Sequence, residues 1–112
     1  MNIELTGTLY IVATPIGNLG DISIRAIQVL KDVAIIACES SRHSKLLLNR
    51  YCIHSRTISY QEQNDQKGLK KILYHLSCGE SVAFISDAGT PLISDPGYRL
   101  VSSARDAGHN VI

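Results

Sequence analysis

The residues with chemistry to offer cluster in four short segments. Residues 14–21 read T-P-I-G-N-L-G-D, residues 39–43 E-S-S-R-H, residues 60–65 Y-Q-E-Q-N-D and residues 87–96 D-A-G-T-P-L-I-S-D-P. The last is the most informative. Asp87 directly follows the apolar run S-V-A-F-I-S, which puts its carboxylate at a strand end, able to hold ribose hydroxyls, an ammonium group or another cation. Residues 86–97 carry two glycines, two prolines and no lysine or arginine. A connection this long is more often functional than a bare link. The plainer alternative for Asp87 and Asp95 is that both simply form turns.

The other segments are less specific. Residues 14–21 lack the glycine fingerprints G-x-G-x-x-G and G-x-x-x-x-G-K-[ST], which argues against a dinucleotide-binding fold or a phosphate-loop NTPase. Gly17 and Gly20 still allow a ligand close to the backbone, or the segment is a plain turn with Asp21 capping a helix. Glu39 lies about 20 residues beyond this loop, where an acidic side chain often holds an adenosine ribose. Residues 39–56 hold four Lys/Arg (Arg42, Lys45, Arg50, Arg56) against one carboxylate, Glu39. That is either a solvated helix face or a contact surface for a phosphate backbone. The four histidines are scattered without zinc-ligand spacing, so no metal is expected. The three cysteines, Cys38, Cys52 and Cys78, are odd in number and lack C-x-x-C spacing, so buried, reduced thiols are expected.

Alternating elements must position these segments. Residues 8–13 and 33–38 are apolar runs, continuous rather than alternating, as in strands covered on both faces. Shorter strand patterns occupy residues 57–60 and 81–86, and another starts at Asn110. Between them, helical periodicity appears in Ile24, Ile27, Val29 and Leu30, after a cap at Asp21. It recurs around residues 45–48 behind a cap at Ser40 or Ser41. It is clearest over residues 66–78, with Leu69, Ile72, Leu73 and Leu76 on one face and Gly79 ending the helix. A last helix is predicted over residues 98–107, closed by Gly108. The order βαβαβαβαβ predicts an α/β three-layer sandwich around a mostly parallel five-stranded sheet. In such a sheet, ligands bind at the carboxyl ends of the strands, where all four segments fall.

The composition suits one such domain. The 112 residues are 45% hydrophobic and 19% charged, enough apolar surface for a core. The longest strongly apolar run, residues 33–38, is far short of the ~20 residues of a membrane span, and the start of the chain has no secretory pattern. The net charge of +1 gives no global reason to expect nucleic acid. The chain stops where a fifth strand begins, so a fragment of a longer protein is expected.

Three segments together resemble a known family. A-T-P-I-G-N-L-G-D-I-S-I-R-A (residues 13–26), E-S-S-R-H-S-K-L-L (39–47) and S-D-A-G-T-P-L-I-S-D-P-G-Y (86–98) resemble the ribosomal RNA small subunit methyltransferase I family of the tetrapyrrole methylase superfamily. Tyr60-Gln61-Glu62-Gln63-Asn64 resembles the family's Y-x-E-x-N stretch. The resemblance implies methyl transfer from S-adenosylmethionine to the ribose 2′-hydroxyl of a cytidine in the 16S rRNA of the small ribosomal subunit. It further implies a cytoplasmic homodimer of two-domain protomers, with the cofactor in the cleft between domains and this chain as the N-terminal domain, residues 1–112.

Carried over by position, the resemblance implies that Asp87, Ala88, Gly89 and Thr90 lie near the cofactor, with Ile93 against its apolar parts. Pro15, Ile16 and Gly17 replace the glycine-rich first loop of other superfamily members. Arg42, His43 and Lys45 are candidate RNA contacts at the cleft mouth. Glu39 is the candidate base within this chain, and a base on the second domain is the alternative. The family usually has E-D-T-R where this chain has Glu39-Ser40-Ser41-Arg42, so any role of that aspartate does not transfer. Two other readings compete: a tetrapyrrole or other small-molecule methyltransferase of the same superfamily, and a non-enzymatic doubly wound module resembling a receiver domain. The second would need an acidic cluster after the first strand, where Thr14-Pro15-Ile16 stands.

Overall fold

A computed structural model describes residues 7–13, 22–38, 41–60, 66–86 and 95–112, with the backbone alone at 13, 41–43, 86 and 95–98. Its elements run β1 (Thr8–Ala13), α1 (Ile24–Asp32), β2 (Ile35–Cys38), α2 (Ser41–Arg50), β3 (Arg56–Ser59), α3 (Gln66–Ser77), β4 (Val82–Ser86), α4 (Asp95–Asp106) and β5 (Asn110–Val111). The five strands form one sheet in the order β3-β2-β4-β1-β5, and every pairing is parallel. The α/β class and the parallel sheet expected from the sequence are both present.

The sheet order fixes where the helices go. The crossovers through α1 and α2 run toward the β3 edge, and those through α3 and α4 run back toward β5. Right-handed crossovers of opposite direction must lie on opposite faces. The core divides accordingly. Leu9, Ile35, Ala37, Val82 and Phe84 pack with Leu69, Ile72 and Leu76 of α3 and with Leu100 and Ala104 of α4. Val12, Ile36, Cys38, Ala83 and Ile85 pack with Leu30 of α1 and with Leu47 and Leu48 of α2. Each strand's apolar run is thus sorted residue by residue to alternate faces, the two-residue period of a pleated strand. That is why the sequence shows no polar alternation.

Several boundaries differ from the sequence reading. The cap of α1 is Ser23, whose hydroxyl accepts from the Ala26 amide at 3.1 Å, so the helix starts beyond Asp21. Ile24, expected on the apolar stripe, is 77% exposed, while Leu30 is fully buried. Helix α4 begins at Asp95, three residues before the predicted start at residue 98. Pro96 is at home there, because a first helical turn needs no amide from it. Gly79 and Gly108 end α3 and α4 in the left-handed region, at φ 86° and 89°. All three cysteines are free, but only Cys38 is buried; Cys52 and Cys78 are exposed. They lie in the turns that follow α2 and α3, outside either core layer.

Gly7 locks the start of β1. Its amide donates to the Leu76 carbonyl at 2.8 Å, and a Cβ there would overlap the backbone carbonyl oxygen of Glu80. The start of β1 and the end of α3 are therefore in backbone contact.

Candidate active site

Three strand ends meet at the centre of the sheet. Ala13, the last residue of β1, is level with Ser86, the last of β4. Cys38, the last of β2, is level with Ile85. The chain leaves β1 and β2 toward helices on one face and leaves β4, between them, toward a helix on the other. Such a reversal opens a crevice beyond the strand ends, the usual ligand position in open α/β sheets. The segments that follow these three strand ends in the chain, 14–21, 39–40 and 87–94, are those singled out in the sequence, and they lie outside the described residues.

The expected cofactor residues Pro15, Ile16, Gly17, Asp87, Ala88, Gly89, Thr90 and Ile93, and the candidate base Glu39, lie outside the described residues. What the fold gives them is a common origin: all belong to segments starting from adjacent, level strand ends. Arg42 and His43 fall in the first turn of α2, where the backbone is described. Lys45 is in the same helix and exposed. Tyr60, the first residue of the Y-x-E-x-N stretch, belongs to the core. It is fully buried, its ring meets Phe84 edge-on at 5.7 Å, and its amide bonds the Cys38 carbonyl at 2.9 Å. It pins the chain at the end of β3 before residues 61–65, which lie outside the described residues.

One feature escaped the sequence reading. A groove of about 210 Å³ lies between α2 and the β3 edge, lined by Cys38, Ser44, Lys45, Leu48, Thr57, Ile58 and Ser59. Ser44 is 2% exposed, and among the described residues its buried hydroxyl oxygen has no hydrogen-bond partner. The signal was present in the spacing: Ser44, Leu47 and Leu48 stand at i, i+3 and i+4, which puts the serine on the buried face. Among the described residues no group of three or more His, Cys, Asp or Glu is placed to hold a metal, and no helix is long and apolar enough to cross a membrane.

Residues 8–112 match the family model described as Tetrapyrrole (Corrin/Porphyrin) Methylases. The chain belongs to this family. The fold agrees: the crystal structure of uroporphyrin-III-C-methyltransferase from Thermus thermophilus superposes with a TM-score of 0.76 over 94% of this chain and 45% of that one, at 17% identity. Greater sequence similarity is found with proteins named ribosomal RNA small subunit methyltransferase I. The Mesorhizobium japonicum protein is 54% identical over 96% of this chain and 37% of its own length. Its namesake from Escherichia coli O157:H7 is 49% identical over 95% of this chain and 37% of its own. The one from Halalkalibacterium halodurans is 50% identical over the same shares. The chain therefore spans little more than a third of these relatives, corresponding to their N-terminal part.

Proposed function

We propose that this chain is the N-terminal domain of an S-adenosylmethionine-dependent methyltransferase acting on the ribose 2′-hydroxyl of a cytidine in 16S rRNA. The observation that carries the reading is about 50% identity along nearly the whole chain to rRNA methyltransferases from distant bacteria. The protein works in the cytoplasm as a homodimer, and a second domain closes the crevice above β1, β2 and β4.

The cofactor suits this crevice on two grounds. Adjacent strand ends with reversed connections are where open α/β sheets bind ligands. The segment 87–94 brings one carboxylate, Asp87, and no lysine or arginine, a favourable setting for a sulfonium cation. Asp87, Ala88, Gly89, Thr90 and Ile93 hold it from the β4 side, and Pro15, Ile16 and Gly17 from the β1 side. When bound, S-adenosylmethionine supplies an electrophilic methyl group on its sulfonium sulfur.

The residues of this chain align the ribose oxygen with that methyl, and positioning alone is worth ~7–11 kcal/mol in well-oriented displacements. The hydroxyl is a weak nucleophile, so a carboxylate within hydrogen-bond reach helps by accepting its proton. Glu39, which follows β2 in the chain, is the candidate base within this chain, and a base from the second domain is the alternative. Arg42, His43 and Lys45 on α2 meet the RNA backbone.

A tetrapyrrole substrate is the second reading, suggested by the description of the matching family, Tetrapyrrole (Corrin/Porphyrin) Methylases, and not by the fold match to a uroporphyrin methyltransferase. At 17% identity that match speaks for the fold alone. Offering the full-length protein labelled cofactor with either unmodified small ribosomal subunits or a uroporphyrinoid separates the two. Label in rRNA supports the proposal, and label in the porphyrinoid overturns it.

A further inference from the structure

We propose that the groove between α2 and the β3 edge seats a backbone phosphate of the RNA substrate, beside the nucleotide being methylated. The inference rests on the rRNA reading above, and it starts from Ser44. A buried hydroxyl without a partner costs stability, and such groups call for an explanation. Serine hydroxyls in helices can satisfy themselves on a nearby carbonyl of the same helix, but among the described residues the Ser44 hydroxyl has no partner. It lines the groove together with Thr57 and Ser59 of β3 and Lys45 of α2. Three hydroxyl-bearing residues and one lysine share the walls of this cavity of about 210 Å³ with Cys38, Leu48 and Ile58, and no carboxylate is among its described lining residues. That is the chemistry of an oxyanion site, and Lys45 supplies the charge.

Position selects a polynucleotide as the source of the phosphate. Ser59 is level with Cys38, and Cys38 is level with Ile85 at the end of β4. The groove is thus two strand spacings, or about 10 Å, from the strand that feeds the cofactor segment. A phosphate seated there belongs to the chain flanking the target ribose, on the same side of the sheet as the crevice. The surrounding residues 39–56 carry four Lys/Arg against one carboxylate, which favours a polyanion over an isolated phosphate. The hydroxyls and the lysine contact backbone rather than base edges, so the groove positions the RNA without reading its sequence.

The test uses the full-length protein with S44A and K45A variants. Binding of a single-stranded, cytidine-containing RNA oligonucleotide is followed at several salt concentrations, beside thermal unfolding and methyl transfer to small subunits. Each variant is expected to bind RNA about tenfold more weakly, the loss of one hydrogen bond to a charged group. K45A should also lower the slope of log K against log salt by about 0.7. S44A should unfold no earlier than the wild type, because it removes an orphan hydroxyl; a purely structural serine would unfold earlier. KM for RNA should rise in both variants, with kcat and cofactor affinity unchanged. Unchanged RNA affinity in both variants overturns the proposal. So does competition by millimolar inorganic phosphate for the groove without any effect of either substitution on RNA binding, which would mark a free-phosphate site. A wild type that binds the oligonucleotide but methylates no rRNA sinks the functional reading instead, and leaves the groove to be judged by the binding data.

Discussion

Ala13 and Ser86 stand level with each other at the carboxyl ends of β1 and β4, the neighbouring strands whose connections leave on opposite faces of the sheet. The relationship brings residues 73 positions apart in the chain to the same rim. The segments 14–21 and 87–94 therefore both leave from this rim.

Asp87 is the first residue past that rim. In the full-length protein, D87A is expected to weaken S-adenosylmethionine binding about tenfold by calorimetry, the loss of a charged hydrogen-bond acceptor. Unchanged cofactor affinity would remove Asp87 from the site.

Phe84 is fully buried at the centre of β4 and meets the Tyr60 ring at 5.7 Å. F84A is expected to cost about 3–5 kcal/mol in urea unfolding, through lost burial and the cavity left behind. A loss below 1 kcal/mol would mean that the core closes over the gap.

Gly7 has no room for a side chain, because a Cβ meets the Glu80 carbonyl oxygen. G7A should force β1 away from the turn after α3 and lower stability by about 2 kcal/mol or more. S23A should cost only about 1 kcal/mol, the value of one helix cap, through its bond to the Ala26 amide. Paired unfolding curves check the ranking, and equal losses would contradict it.

The thiols should react in two classes. Cys52 and Cys78 are exposed and Cys38 is buried under α2. A thiol reagent applied to the native protein is expected to label Cys52 and Cys78 rapidly and Cys38, 5% exposed at the groove, much more slowly. Rapid labelling of Cys38 would contradict the packing on the α2 face.

Much of this architecture is legible in the residues, and the exceptions have physical causes. The runs at residues 9–12, 35–38 and 82–85 announce strands covered on both faces, because each face carries buried side chains. The insertion of β4 between β2 and β1 has no local signature, since it depends on which crossovers pack together. The sequence points to Asp21 as the cap of α1, but Ser23 is an equally good capping residue, and the bond from the Ala26 amide shows that it holds the helix start. The start of α4 was hidden by Asp95-Pro96-Gly97, which reads as a turn although proline's fixed φ also suits a first helical turn. The site segments were recognisable by residue type and by resemblance. Ser44 was overlooked because a serine beside Arg42, His43 and Lys45 reads as part of a solvated face, and its burial depends on β3 closing over α2.

The central claim is methylation of a ribose in small-subunit rRNA. The most direct measurement incubates the full-length protein and labelled S-adenosylmethionine with small subunits lacking their native methylation, then digests the rRNA to nucleosides. Label on the ribose of a single cytidine is the expected result. Label on a base, on another nucleoside or on no RNA at all would contradict it.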